Sequence, residues 1–228
     1  MIIGALQKTS LIDYPGEICA IVFTVGCNFR CPYCHNPELV IGNARGINKD
    51  YLFDFLKKRA GKLSAVSITG GEPTLHSDLI DFVKEIRLLG YEKIKLDTNG
   101  TNPKVLDVLI QERLITYVAM DIKAPLGRYG VVADYRYDTE CIEKSIDIIK
   151  NSHIDYEFRT TVIDGFVEKE DVLLIADLIK GSKAYYIQRF IPSKTLNKSF
   201  LSKNSISEEE LDEIRQKIGG MFDIFEIR

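Results

Sequence analysis

No run of this sequence is apolar for long enough to cross a bilayer. The longest, near residues 18 to 25, falls far short of the roughly 20 residues a membrane helix needs. The N-terminus, Met1-Ile2-Ile3-Gly4, lacks a charged, cleavable leader, so no membrane partner is expected and the cytoplasm is the expected location. Basic residues form no stripe. The formal net charge is -3 with 28% of residues charged, so nucleic acid is not an expected partner and the charge runs read as solvated helix faces. No low-complexity linker divides the chain, and nothing longer than a strand-helix unit repeats. At 228 residues and 45% hydrophobic composition the chain can bury a sizeable core, and one domain over 1–228 is expected.

Cysteine is scarce and unevenly placed. There are five in all, an odd number with tight clustering, which argues against a disulfide framework and for a reducing compartment. Three fall within Cys27-Asn28-Phe29-Arg30-Cys31-Pro32-Tyr33-Cys34, where they can hold three corners of an iron-sulfur cube and leave the fourth iron open to a substrate or cofactor. The alternative is a structural zinc site with His35 or another residue as fourth ligand, although zinc knuckles usually come as two separated pairs. Cys19, in the run Ile18-Cys19-Ala20-Ile21-Val22-Phe23, would lie ~25 Å from Cys27 if that run is a strand. Cys141 opens a distant helical pattern, and both read as ordinary buried thiols. No cysteine lies between Cys34 and Gly70 or after Cys141, so one cluster is expected, and exposed thiolates of this kind make the protein oxygen-sensitive.

Around this loop, β-branched and aromatic runs alternate with helical periodicity. Strands are predicted at 18–25, 65–69, 93–98, 117–122, 155–163 and 184–191, with weaker edge strands at 2–8 and 221–227. A helix over 78–89 places Leu79, Phe82, Val83, Ile86 and Leu89 on one stripe, with Ser77 able to cap its start and Gly90 following its end. Asn102-Pro103 starts another, 168–180 a third, and Ser207 with Glu210 forms a capping box for a last helix ended by Gly219-Gly220. Strands each followed by a helix imply an α/β fold with parallel pairing, as a barrel or as an open doubly wound sheet.

The unusual polar residues fall at the carboxyl ends of these strands. The cysteine loop follows the first, Gly70-Gly71-Glu72-Pro73 the second, Asp97-Thr98-Asn99-Gly100 ends the third and Asp121-Ile122-Lys123 the fourth. In parallel α/β folds those ends gather on one rim, where binding and catalytic residues collect.

The cysteine spacing with Tyr33 before the last thiol, followed by Gly70-Gly71-Glu72-Pro73, resembles the radical S-adenosylmethionine superfamily. Cys31-Pro32-Tyr33-Cys34-His35-Asn36-Pro37, Asp97-Thr98-Asn99-Gly100 and Asp121-Ile122-Lys123 extend the resemblance to glycyl-radical-enzyme activating enzymes over nearly the whole chain. The opening Leu11-Ile12-Asp13-Tyr14-Pro15-Gly16 and the length are similar to those that activate anaerobic ribonucleoside-triphosphate reductase.

This resemblance implies a partial (β/α)6 TIM-type barrel with a cluster-binding loop after its first strand. It implies one 4Fe-4S cluster on Cys27, Cys31 and Cys34, with S-adenosylmethionine on the open iron. Gly70 and Gly71 would approach the methionine amine, with Glu72 shaping their turn, and Lys123 and Arg159 would meet its carboxylate. Arg159 sits in a strand run, facing either an anionic partner inside the barrel or solvent. Asp97, Thr98 and Asp121 resemble residues around a monovalent cation, though rim carboxylates also serve as helix caps. Tyr33 would contact adenine or shield the cluster, and Asn99, Gln188 and Arg189 are further candidates for cofactor or peptide. His35 reads as a tuning group beside a ligand; His76 and His153 read as having no role.

By the same resemblance, a reduced cluster would cleave S-adenosylmethionine to a 5′-deoxyadenosyl radical that takes a hydrogen from a glycine Cα of a partner enzyme, with a flavodoxin- or ferredoxin-type electron donor. Other readings are a radical enzyme acting on a small molecule or another peptide, and a zinc-bound interaction module.

Overall fold

The computed structural model describes residues 1–136 and 138–228. Eight strands form one sheet: β1 (Ile3–Ser10), β2 (Cys19–Thr24), β3 (Ala65–Gly70), β4 (Lys93–Thr98), β5 (Tyr117–Asp121), β6 (Asp155–Val162), β7 (Ala184–Arg189) and β8 (Ile224–Ile227). Their order in the sheet is their order in the chain. β1 runs antiparallel to β2, and every later pair is parallel. A doubly wound sheet reverses its strand order at a switch point. This one does not; β1 and β8 stand at its two ends and do not pair with each other, giving an open barrel of the TIM type. The six predicted parallel strands are all present, β8 adds a seventh, and β1 extends the sheet at the other edge.

Helices fill the crossovers: α1 (Pro37–Val40), α2 (Lys49–Arg59), α3 (Leu79–Leu88), α4 (Pro103–Gln111), α5 (Tyr129–Val132), α6 (Glu140–Lys150), α7 (Lys169–Leu178) and α8 (Glu208–Ile218). Local chemistry sets their ends. Asn102 accepts from the Val105 N–H ahead of Pro103, Ser207 and Glu210 close a reciprocal capping box on α8, and Gly90 takes φ +92 after α3, where a side chain would be strained. Ser77 does not cap α3. Asp78 holds the N-cap position without a side-chain bond to the helix, because its carboxylate accepts the N-terminal ammonium of Met1 at 2.5 Å. That partner is 77 residues away in the chain.

Alternation along the strands decides what lies on each face. Ala20 and Val22 of β2, Ile94 and Leu96 of β4 and Val118 and Met120 of β5 join the helices in the main apolar core. The inward positions are different. A small cluster of Tyr14, Cys19, Ile21, Ala65, Tyr117 and Ala119 plugs the interior, accompanied by charged inward residues of β4, β5 and β6. Cys19 is fully buried in that plug, whereas Cys141, expected to be buried, is only half so, with its thiol 3.3 Å from the Asp138 carbonyl.

Candidate active site

The segment that follows β2 carries the three clustered cysteines and is pinned from several sides by backbone hydrogen bonds. Gly26 N–H donates to Leu39 O at 2.8 Å, Arg30 N–H to Ala133 O at 2.8 Å, and Asn197 N–H to Pro32 O at 2.8 Å. Arg30 also turns its guanidinium back onto the loop, donating to the Cys27 and Phe29 carbonyls at 2.5 and 2.8 Å. A loop of this length would otherwise be mobile. Anchored so, it presents Cys27, Cys31 and Cys34 to a cavity of about 290 Å³ at the carboxyl ends of the strands.

With the exception of Arg189, every residue singled out above for the cluster or the cofactor borders that cavity. The loop contributes the thiols and Tyr33; the end of β3 gives Gly70, Gly71 and Glu72; β4 gives Asp97, Thr98 and Asn99; β5 and its exit give Asp121 and Lys123; β6 gives Arg159. Gln188 is there too. Arg189 is not, because alternation along β7 turns it outward, where it pairs with Glu208 at the start of α8. Cys19 and Cys141 do not border the cavity.

Burial pushes the Cys27 thiol up to about 12, helped by the negative charge of Glu72, and burial likewise pushes Cys31 up to about 11. Cys34 is raised for the same reason. Three neutral thiols must therefore lose protons when they become ligands, and the Lys123 ammonium favours that loss at Cys31. Among the described residues no group of three or more His, Cys, Asp or Glu side chains is arranged to hold a single metal ion. All three thiols border the one cavity. A cube of iron and sulfide offers each thiolate its own iron, whereas a lone zinc ion draws all its ligands to one centre. The donor set fits the cube.

Gly70 and Gly71 are required by the protein's own backbone. Gly70 has φ +117, and a Cβ on Gly71 would lie 2.6 Å from the Gly26 carbonyl carbon. The turn lies flat against the exit of β2, with Gly71 N–H donating to Thr24 O and Glu72 N–H to Gly26 O, at 2.9 and 2.8 Å. Glu72 is buried and fully engaged: Oε1 accepts from the Thr74 N–H at 3.1 Å and the Thr98 hydroxyl at 2.8 Å, and Oε2 from the Asn99 N–H at 2.6 Å. Burial still holds its carboxyl above the usual range, against those bonds. Asn99 in turn donates to Asn28 Oδ1 at 2.8 Å, tying the cysteine loop to β4.

Below the rim, Arg159 faces inward and is held by three carboxylates. Its Nε donates to Asp121 Oδ1 at 2.7 Å, Nη2 lies 3.2 Å from Asp97 Oδ2, and Nη1 lies 3.7 Å from Glu157 Oε1. Burial opposes the charge of Asp121, but Arg159 and Lys123 outweigh it and hold the carboxyl below its usual range; Asp97 is lowered in the same way by Arg159 and Lys95. Lys123 pairs with Asp121 at 3.1 Å, which occupies one of its three donors. Arg159, with five donors, makes its hydrogen bond to Asp121 through Nε, and both cations border the cavity. The sequence did not single out Lys95, Glu157, Tyr117 or Thr69; for Lys95 alone, the period-two polar face of Lys93-Ile94-Lys95-Leu96-Asp97 is a signal.

Tyr33 borders the cavity and also packs on the aromatic side chains behind the loop. Its ring packs among Phe166, Phe190 and Phe200 at centroid separations of 6.1 to 6.4 Å, which shields the loop and fixes it to β7 and the segment before α8. Its hydroxyl is buried with no hydrogen-bond partner among the described residues. His35 stacks near Phe190 at 5.6 Å, and burial lowers its pKa.

An open parallel barrel whose rim holds three thiols beside a Gly-Gly-Glu turn defines a class, and the sequence matches the model of that class: residues 21–179 match the Radical SAM superfamily, and the chain belongs to it. Among curated proteins it is 35% identical over 221 residues to the Methanocaldococcus jannaschii protein named "Putative glycyl-radical enzyme activating enzyme MJ1227", covering 93% of this chain and 90% of that one. Its fold is like that of Streptococcus suis SuiB bound to S-adenosylmethionine, with TM-score 0.68 at 14% identity over 91% of this chain and 49% of that one. It is also like archaeal TYW1, with TM-score 0.57 at 18% identity over 90% and 72%. The chain spans about half the length of SuiB.

Proposed function

We propose that this protein is an activating enzyme for a glycyl-radical partner, anaerobic ribonucleoside-triphosphate reductase being the partner its opening motif favours. A cytoplasmic setting and a flavodoxin- or ferredoxin-type electron donor belong to the same reading. The observation that carries it is the pairing of the three-thiol cavity with a relative named as an activating enzyme along nearly its whole length. When bound, a 4Fe-4S cluster and S-adenosylmethionine supply reductive cleavage and removal of a hydrogen from the glycine Cα.

The chain's own residues have defined tasks. Cys27, Cys31 and Cys34 hold the cluster, each losing a proton. Carbonyls of the Gly70-Gly71 turn face the methionine amine, and Lys123 takes the methionine carboxylate. Arg159 positions Asp121, and through it Lys123. Asp97, Thr98 and Asn99 form the polar wall opposite the thiols, and the aromatic cluster around Tyr33 keeps water from the loop. No side chain is needed as a base, since hydrogen leaves with its electron.

Anaerobic reconstitution with iron and sulfide, followed by reduction with S-adenosylmethionine and the candidate reductase, tests this. 5′-Deoxyadenosine and a glycyl electron paramagnetic resonance signal, both lost in Cys31→Ala, are expected. 5′-Deoxyadenosine without a glycyl signal in any partner would instead favour a radical enzyme acting on a small molecule or another peptide, a reading helped by the fold shared with SuiB, which was solved bound to its precursor peptide SuiA.

A further inference from the structure

We infer that the ammonium of Lys95, held in place by the Asp13-Tyr14 loop, is a built-in cation for Asp97, and that this site therefore takes no alkali metal ion. The expected monovalent cation needs carboxylate oxygens free to coordinate it, and the residues present do not fit that need.

Asp97 Oδ2 faces Arg159 Nη2 at 3.2 Å and accepts from the Thr69 hydroxyl at 3.1 Å. Asp121 Oδ1 accepts from Arg159 and Oδ2 from Lys123. The remaining oxygen, Asp97 Oδ1, faces Lys95 Nζ at 3.1 Å. That contact is an ion pair without hydrogen-bond alignment, because the ammonium directs its bond at the Asp13 carbonyl, 2.6 Å away. All four oxygens thus face a protein cation. A metal ion entering here would be repelled by three fixed positive charges at close range in a poorly hydrated interior.

Lys95 is itself positioned by the motif Leu11-Ile12-Asp13-Tyr14-Pro15-Gly16, which the proposed chemistry leaves without a task. Its side chain is only 2% exposed, and Asp13 Oδ2 lies 3.7 Å from Nζ. Tyr14 closes the interior above that loop, its hydroxyl 3.1 Å from Thr116 Oγ1 and its ring 5.5 Å from Tyr117, the ring over which Lys95 also sits at 6.0 Å. The motif is a plug that fixes a lysine, and the lysine neutralises a rim carboxylate. Lys95 is a positioning residue, since it acts on the cavity through Asp97.

The test uses the full chain without cluster, cofactor or partner, so it can fail while the activating-enzyme reading stands, and the converse. ²³Na relaxation and thermal unfolding are measured in sodium or potassium chloride and in choline chloride at equal ionic strength. The wild type and Lys95→Arg are expected to show no saturable sodium broadening and the same midpoint in every salt. Lys95→Met is expected to gain saturable broadening and an alkali-dependent rise in midpoint, both abolished by adding Asp97→Asn. Saturable sodium binding by the wild type overturns the inference, and that arm decides even if Lys95→Met does not fold. A folded Lys95→Met indifferent to alkali ions overturns it equally.

Discussion

Glu72, in the turn after β3, accepts the backbone N–H of Asn99 at the end of β4, 2.6 Å away. One buried carboxylate thereby joins two of the four rim segments, and Asn99 carries the link on to the cysteine loop through Asn28. Replacing Glu72 with Ala would orphan the Thr98 hydroxyl and the Thr74 and Asn99 N–H groups together. Each lost partner costs about 1–3 kcal/mol, so a clear fall in urea midpoint is expected, with weaker S-adenosylmethionine binding by the reconstituted protein. Glu72→Gln keeps an acceptor and should lose less.

Arg159 is the hub beneath that rim. Arg159→Met leaves two buried carboxylates, Asp97 and Glu157, and the partly buried Asp121 short of their cation, and breaking a buried pair from one side typically costs about 3–5 kcal/mol. Denaturant unfolding of the cluster-free chain reads this directly. Arg159→Lys should recover little, because one ammonium cannot span Asp121, Asp97 and Glu157 as the guanidinium fork does.

Gly71→Ala sets a methyl against the Gly26 backbone rather than against a yielding side chain. Overpacking of this kind costs about 1–3 kcal/mol. The expected outcome is a destabilised protein that also loads less iron, since the displaced segment leads directly into Cys27. An unchanged midpoint with full iron content would show that the close approach is not needed.

Acid should weaken the interior network in a defined direction. Asp97 and Asp121 titrate below their ordinary value of 3.8 in the fold, so their contribution is present above that pH and is lost as pH falls through the depressed folded values. Glu72, raised by burial, has the opposite sign: its contribution is present below 4.5 and lost as pH rises through its folded value. Stability of the cluster-free chain followed from pH 6 down to about 2 should fall most steeply at the acid end, and Asp121→Asn should flatten that limb.

Iron loading separates the cysteines. Cys27→Ala, Cys31→Ala and Cys34→Ala are each expected to reduce bound iron and acid-labile sulfide strongly. Cys141→Ser, on a half-buried helix start, should leave both unchanged and shift stability within about 0.5 kcal/mol. Cys19→Ser should also leave metal content intact and cost little stability, because the new hydroxyl can take up the contacts the thiol makes with the Tyr14 backbone and Ser10.

Local chemistry was legible in the sequence wherever neighbours along the chain carry it. The strands, the capping box at Ser207 and Glu210, the proline start of α4 and the cysteine spacing are all short-range signals, and each appears where the sequence puts it. The inward face of Arg159 was one of two readings until the fold supplied its acids. Ser77 does not cap α3: Asp78 takes the N-cap position, and its carboxylate accepts the N-terminal ammonium from 77 residues away.

The succession of strands and helices along the chain and the trio of thiols at a strand exit were determined by the sequence itself, because periodicity and turn chemistry act over a few residues. Only the tertiary structure decided that Arg189 points away from the cavity, that the Tyr33 ring packs on Phe166, Phe190 and Phe200, and that Lys95 reaches Asp97 from a plug built by Asp13 and Tyr14. Those outcomes depend on groups tens of residues apart meeting where water is scarce. There the nearest opposite charge or ring claims each side chain, and no local pattern records which one that will be.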